Sequence, residues 1–467
     1  MTGPQQQTLF GEPEAANKKK GSFGDTSFKG NKREPLHRWA PWIAGFSSRF
    51  AGGVIERELS LASGGTVLDP FCGVGTTLIE AGRRGLSSVG FEINPYAAFA
   101  ARVKMGAPEV DARAFEEAIE DFASFYRPRA KSGYEPESDV PSGFNTRAPF
   151  YAPAVERKAL IYWDYVRSAV ESEALRDLFR LAFAAEMISF SNYTYQPSLG
   201  TCEAAGQPRV KDYPVGKMLT RKLRAMLFDI RLFRGRGGAE APEEAPEEAR
   251  VIEASFFDAE KHLEAGSCDL AVTSPPYLNN YHYVRNTRPQ LYWLGFARSP
   301  EDYEPIEHGN YGKYWQTVRS REEALELNFE NPPPELASLI EKLRGSGEDR
   351  GLYGGNGWAN YAAQYFNDTY RFGRGLIRAL RPGGKAYVVV GNSILQGINF
   401  ETDRHLASVC EAAGLETEKI HTPRSSRAGD SIIRSEVRVA AAKKGHCLYE
   451  SVVELRRPRR GGGGEGG

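Results

Sequence analysis

Asp269-Leu270-Ala271-Val272-Thr273-Ser274-Pro275-Pro276-Tyr277 decides how the rest of this 467-residue chain is read. The apolar run Leu270 to Val272 stops at Thr273, which is how a buried parallel strand delivers a loop to the carboxyl edge of a sheet. Two consecutive prolines neither donate to a ladder nor continue a helix, so the chain beyond Ser274 is extended and stiff. Such a loop holds three groups at fixed separation: the Ser274 hydroxyl, the Pro275 carbonyl and the Tyr277 ring. A planar ring bearing an amine, stacked on Tyr277, would set its NH2 against the two oxygens.

A second stretch begins in the same way. Thr66-Val67-Leu68-Asp69-Pro70-Phe71-Cys72-Gly73-Val74-Gly75-Thr76-Thr77-Leu78-Ile79-Glu80 runs from a short apolar strand through a glycine-containing turn into an apolar-periodic helix, the first βα unit of a nucleotide-binding sheet. Gly73 and Gly75 let the backbone come close to a ligand. The third glycine of a dinucleotide fingerprint is missing, because Leu78 stands three positions beyond Gly75, and no Gly-Lys-Ser/Thr follows for a phosphate loop. The next strand, Ser88-Val89-Gly90-Phe91, ends on Glu92, where a carboxylate is placed to accept both hydroxyls of a ribose. Capping of the following helix, together with Asn94-Pro95, is the competing role for Glu92.

Composition limits what kind of protein owns these loops. The chain carries 60 Lys+Arg against 60 Asp+Glu, so a polyanion must be met by local patches and not by a global field. The 5 cysteines, Cys72, Cys202, Cys268, Cys410 and Cys447, are scattered without CxxC spacing and read as reduced cytosolic thiols, with neither a disulfide frame nor a zinc site. The 7 histidines show no ligand spacing, so no metal is expected. No apolar run reaches ~18 residues and no signal-peptide core opens the chain, which leads to the expectation of a cytoplasmic, nucleoid-associated prokaryotic protein.

DPFCGVGTT from Asp69, FEINPYA from Phe91 and TSPPY from Thr273 together resemble the S-adenosylmethionine-dependent DNA amino-methyltransferases, in particular the group whose catalytic tetrapeptide begins with Ser. The resemblance covers about 37–105 and 250–445. It implies a Rossmann-like, doubly wound α/β sheet of the class I methyltransferase type with two insertions. It implies S-adenosyl-L-methionine as cofactor, held by Asp69, Pro70, Phe71, Gly73, Gly75, Thr76, Thr77, Glu92, Asn94 and Thr273. Asp258 joins them, since it ends the third strand where the family often contacts the cofactor's adenine amino group. Ser274, Pro275, Pro276 and Tyr277 are the implied catalytic loop. Ser-led tetrapeptides are commonest in cytosine-N4 enzymes and Asp-led ones in adenine-N6 enzymes, so cytosine-N4 is the first choice of target and double-stranded DNA the partner, with a cognate restriction or defence system beside it.

The remaining segments fall between these motifs. The expected division is an arm without structure over 1–30, a cofactor-binding part of the core over 31–105, and a mainly helical insertion over 106–234, the candidate target-recognition region. A linker over 235–249, the catalytic part of the core over 250–298, a second insertion or lid over 299–357, the remainder of the core over 358–450 and a disordered tail over 451–467 follow. Lys18-Lys19-Lys20 in the arm and Arg456-Arg457-Pro458-Arg459-Arg460 in the tail are phosphate contacts or solvated charge, and Ser435 to Lys444 reads as the last edge strand. His37, Trp39 and Trp42 either line a pocket or pack the core ahead of the first strand. In the first insertion Asn192, Tyr193, Tyr195, Arg209 and Lys211 combine amides, aromatics and bases, the mixture that base edges and phosphates require. A solvated helical cap is the alternative. A basic amphipathic helix with Lys217, Arg221, Lys222, Arg224, Arg231 and Arg234 follows it. Asn279, Asn280, Tyr281, His282, Tyr283, Arg285 and Asn286 crowd the segment after the catalytic loop, where Tyr281 and Arg285 are expected to hold flanking nucleotides.

An exocyclic amine on an aromatic base is a poor nucleophile, because its lone pair is delocalised into the ring. Acceptors at Ser274 and Pro275 would draw its hydrogens out of plane as positive charge develops, and stacking on Tyr277 would hold the ring, worth ~1–3 kcal/mol. A base inside a duplex cannot reach such a loop, so the nucleotide is expected to be flipped out. Adenine-N6 methylation, methylation of an RNA amine, a cofactor-binding specificity subunit without turnover, and a nicotinamide oxidoreductase are the alternatives. The last leaves TSPPY without a role.

Overall fold

The computed structural model describes residues 26–42, 45–59, 64–195, 198–236, 249–278, 282–313, 318, 321, 323–346, 356–424 and 448–459. Seven strands form the central sheet: β1 (Thr66–Asp69), β2 (Ser87–Phe91), β5 (Ala249–Ile252), β6 (Cys268–Thr273), β7 (Leu380–Gly391), β10 (Glu416–Arg424) and β11 (Glu450–Arg456). Two small antiparallel pairs stand outside it, β3 (Tyr193–Tyr195) with β4 (Leu199–Thr201) and β8 (Ser393–Leu395) with β9 (Ile398–Phe400). The order across the sheet is β10-β11-β7-β6-β1-β2-β5. The five strands from β5 to β7 are mutually parallel, and β11 enters antiparallel to both of its neighbours. This is the Rossmann-like, doubly wound sheet that the resemblance implies, with its last strand turned back between the two sheet strands before it.

Side chains on successive residues of the inner strands feed opposite faces, as a pleated strand buried on both sides requires. Tyr387, Val389 and Val452 pack with Phe50, Val54 and Ile55 of α1 (Ser48–Glu58). Ala386, Val388, Val390, Val453 and Leu455 pack on the other side, against the long helix described below. The helices after the first two strands are α2 (Thr76–Gly82) and α3 (Pro95–Met105). The segment between β2 and β5 then adds α4 (Ala112–Lys131), α5 (Pro153–Ser168), α6 (Glu173–Glu186), the β3–β4 hairpin and α7 (Val215–Arg236). These helices form no separate lobe. Their apolar faces join Ile79, Tyr96 and Phe99 of the core in one continuous cluster.

After β6 come α8 (Tyr283–Trp293), the short α9 (Glu304–Gly309), α10 (Pro334–Arg344), α11 (Asn356–Ala379) and α12 (Thr402–Ala412). The expected second insertion is docked and not free-standing: Tyr311, Val318, Phe329, Leu336, Ile340 and Leu343 are buried against Tyr361, Phe366 and Phe372 of α11.

Both chain ends depart from expectation. Thr26 is buried and Phe28–Lys32 forms a 3-10 turn, although both fall within the arm placed at 1–30. Residues 451–456, placed in a disordered tail, are an interior strand. Val452, Val453 and Leu455 are fully buried, and Glu454 and Arg456 find partners in Lys385 and Glu416. Alternation hidden between charged residues, and ion pairs supplied by distant strands, explain why the stretch looked like a tail. Ser435 to Lys444, expected as the edge strand, lies outside the described residues; the edge position belongs to β10. The Arg381-Pro382-Gly383-Gly384 turn is an irregularity within β7, where the register with β6 shifts between Cys268 and Leu270.

Candidate active site

Strand order reverses at the β1–β6 pair, where an open α/β sheet forms a crevice at its carboxyl edge. Both singled-out motifs emerge there side by side. Leu68 is in register with Ala271, and just beyond them Thr273 Oγ1 donates to Asp69 Oδ1 at 2.6 Å. Asp69 Oδ1 also accepts from the Phe71 amide at 3.1 Å, and Thr77 Oγ1 donates to the Val272 carbonyl at 3.0 Å. Asp69 is fully buried, and burial pushes its carboxyl up to about 6. Asp69, Thr77 and Thr273 therefore lock the two loops together and do not line the crevice.

The crevice is open to solvent. Pro70, Phe71, Gly73 and Thr76 from the first loop and Glu92 and Asn94 from the second line it, with Ser274 and Pro276 of the catalytic loop. Gly73 has φ +50, and a Cβ there would lie 2.9 Å from Trp42 Nε1, so a side chain would fill the cradle. Gly75 serves packing: it caps α2 with φ +83, and a Cβ would press on Ala101 at 3.0 Å. Glu92 accepts from the Asn94 amide at 2.7 Å, and desolvation pushes its carboxyl up to about 7. Asn94 caps α3 by accepting from the Tyr96 amide at 3.1 Å and donates to Thr287 Oγ1 of α8 at 2.8 Å.

Ser274 Oγ donates to the Val389 carbonyl of β7 at 3.1 Å. A serine hydroxyl has one proton and two lone pairs, so spending the proton on β7 leaves the oxygen an acceptor on its open side. Tyr365 of α11 donates to the Pro276 carbonyl at 3.0 Å, fixing the second proline from behind. Tyr277 lies outside the crevice lining: its ring rests on Gly391, where a Cβ would come within 2.9 Å, and its hydroxyl donates to Glu450 Oε1 at 3.1 Å.

Several expected residues sit elsewhere. Asp258 is half-exposed on a 3-10 turn and pairs with Lys261 at 2.6 Å; the crevice receives Ala254, Ser255 and Phe256 from that segment instead. The backbone curls into a turn after Ser255, which carries Asp258 away. Asn192 is buried, donating to the Pro149 carbonyl and accepting from the Val210 amide, and so closes a loop instead of facing solvent. Tyr195 donates to the Asn286 carbonyl of α8 at 2.9 Å and accepts from Gln290, which ties the hairpin to α8. Neither presents its polar group to a nucleic acid. Arg209 is exposed and paired with Glu203, Lys211 and Arg221 are exposed, and Arg285 is exposed beside the Leu199 carbonyl. Lys222 turns inward to Glu186 and the Arg38 carbonyl, and Arg231 pairs with Glu116. Tyr281, with Asn279 and Asn280, lies outside the described residues.

Of the early aromatics, Trp42 lines the crevice, stacked on Tyr283 at 6.2 Å and 19°. Trp39 is core, donating to Asp229, and His37 is buried against Glu80. Sequence reasoning missed the opposite wall, where Ile306, Gly309, Asn310 and Tyr311 line the crevice and Ser255 Oγ donates to the Gly309 carbonyl at 3.3 Å. No pattern in that excursion announces it. His282 Nε2 lies 3.0 Å from Glu307 Oε1 beside this wall, and burial and Arg285 push the imidazole down to about 4. Among the described residues no helix is long and apolar enough to cross a membrane, and no cluster of His, Cys, Asp and Glu has the makings of a metal site.

Residues 25–102 match the N6_N4_Mtase family, described as DNA methylase. The chain is 22% identical to the Type II methyltransferase M.BsoBI of Geobacillus stearothermophilus, over 91% of this chain and 87% of that one. It is 24% identical to the Type II methyltransferase M.AvaI of Nostoc sp., over 84% of this chain and 82% of that one. Among solved structures, a SAM-dependent methyltransferase from Methanosarcina mazei aligns with a TM-score of 0.29 and 9% identity, covering 87% of this chain and 97% of that one. S-adenosylmethionine is the expected cofactor.

Proposed function

We take this chain as a DNA methylase of the N4/N6 amino-methyltransferase family, as the family match and both relatives support, and we propose that it methylates the exocyclic N4 amine of a cytosine flipped out of duplex DNA. One observation carries the reading: Ser274 and Pro276 line the same crevice as Gly73 and Glu92, so an amine at the catalytic loop and a cofactor on the glycine turn would share one space.

The residues fit S-adenosylmethionine. Gly73 leaves a cradle that any side chain would fill, and Glu92 offers a carboxylate to ribose hydroxyls. When bound, the cofactor supplies an electrophilic methyl on a sulfonium. The protein's part is to accept and to orient. Ser274 Oγ, its own proton given to Val389, and the Pro275 carbonyl accept the two amine hydrogens, which localises the nitrogen lone pair and stabilises the charge that grows on it. Tyr277 supports the base ring from its seat on Gly391. The amine loses its proton after transfer, and solvent reached through the open crevice takes it.

Exposed Lys211, Arg221 and Arg285, with Arg209, are the proposed phosphate contacts, since cations outside the crevice position a duplex without reading its sequence. Both relatives bear Type II names, so a cognate restriction endonuclease is the proposed companion.

The test is to incubate the purified protein with mixed-sequence duplex DNA and labelled S-adenosylmethionine and to identify the methylated nucleoside by mass spectrometry. N4-methylcytosine is expected. N6-methyladenine would overturn the choice of base and keep the site, whereas label only in RNA, or none at all, would overturn the function.

A further inference from the structure

Tyr277, like Ser274 on β7, has its polar group held by a strand far away in sequence. Its hydroxyl donates to Glu450 Oε1 at 3.1 Å across 173 positions, and Glu450 opens β11. The other carboxylate oxygen, Oε2, accepts from Thr26 Oγ1 at 3.0 Å. Thr26 is buried, and its carbonyl accepts from the Ser47 amide at 2.8 Å, next to Gly45 and Phe46, which line the crevice. One carboxylate thus joins the catalytic loop, the segment at Thr26 and the last strand of the sheet.

The ring needs such a hold. Where the ring meets Gly391, a Cβ would lie 2.9 and 3.1 Å from Cε2 and Cδ2, and glycine offers no side chain to keep the ring from sliding or tilting. A hydrogen bond at the far end of the ring removes that freedom. Burial and the adjacent carboxylate push the Tyr277 hydroxyl well above its usual range and outweigh the opposing pull of the Ser274 hydroxyl, so it stays a donor.

We propose that Glu450 is a positioning residue for methyl transfer: by accepting the Tyr277 hydroxyl it fixes the plane against which the target base is held beside Ser274 and Pro275. This role rests on the function proposed above. It does not involve the glycine turn or Glu92, so cofactor affinity is predicted to be independent of it.

Methyl transfer to duplex DNA and S-adenosylhomocysteine binding are measured on the full-length wild type, Glu450→Ala, Glu450→Gln, Tyr277→Phe and the Tyr277→Phe/Glu450→Ala double variant. The misplaced ring in Glu450→Ala should lower kcat/KM for DNA by about 10- to 100-fold, with S-adenosylhomocysteine affinity within about twofold of wild type, as expected for a site that is not coupled to it. Glu450→Gln keeps an acceptor for Tyr277, while its amide donates to a reoriented Thr26 hydroxyl, and should restore most of the rate. Tyr277→Phe keeps the ring and severs the same bond without opening space at Glu450, so it should fall as far as Glu450→Ala, and the double variant no further. That non-additivity is what a merely structural Glu450 would not give. Wild-type kcat/KM in Glu450→Ala or Tyr277→Phe, or losses that multiply in the double variant, would overturn the role. If Glu450→Ala proves too unstable to assay, Tyr277→Phe decides alone. Absence of methyl transfer by the wild type sinks the function and this role with it, and is thereby distinguished from the loss of the role alone.

Discussion

Ser274 illustrates how a single hydroxyl acquires direction. Its proton is committed to the Val389 carbonyl, so what it presents to the crevice is a lone pair. Ser274→Ala is expected to lower the rate of methyl transfer by about 100-fold or more and to leave S-adenosylhomocysteine binding intact, as calorimetry would show. Gly391 makes a complementary point. Gly391→Ala would drive a methyl group to within 2.9 Å of the Tyr277 ring and displace it while leaving Glu450 in place, so transfer should fall with cofactor affinity retained. Glu92 adds a pH signature. Desolvation holds its carboxyl at about 7, above the ordinary value, and ribose hydroxyls bind the ionised form. Cofactor binding must therefore release a proton below that value. Affinity for S-adenosylhomocysteine should rise as pH increases toward 7 and level off above it, and Glu92→Gln should bind weakly without that dependence. An affinity that fell with rising pH would contradict the ribose assignment.

At the scale of elements, α8 is the bridge. Asn94, which caps α3 and lines the crevice, donates to Thr287, and one residue earlier Asn286 accepts Tyr195 from the hairpin on its carbonyl and Leu199 on its side chain. Asn94→Ala removes both the cap and the bridge. It should cost about 1 kcal/mol of stability in a denaturant titration and weaken S-adenosylhomocysteine binding. Asn192 and Tyr195 show where composition misleads: amides and aromatics in a loop have the chemistry of base readers, and here the same groups satisfy the loop's own backbone. Burial decided between the two uses: the Tyr195 hydroxyl is enclosed by packing of the hairpin on α8, about 90 positions away, and Asn192 is buried by the segments of Pro149 and Val210.

For the molecule as a whole, the consequential strand is β11. It pairs with β7 from Glu450 to Arg456 and with β10 on its other side, so the sheet does not close over its core without it. Leu455→Ala is expected to cost about 2–5 kcal/mol, read from the shift of the urea midpoint. Deleting residue 448 onward should abolish cooperative unfolding, because two strands then lose their common partner.

The βα units around Asp69 and Ser274 were legible from local composition, because an apolar strand, a glycine or proline turn and a periodic helix are written within about fifteen residues. The cofactor class was implied by the resemblance that these motifs carry. Contacts between distant segments were not legible: the wall at Ile306 to Tyr311, the interior place of β11 and the hold of Glu450 on Tyr277 depend on which elements pack together. A strand's neighbour and a carboxylate's partner are long-range choices, settled by burial and by hydrogen-bond satisfaction across the whole core.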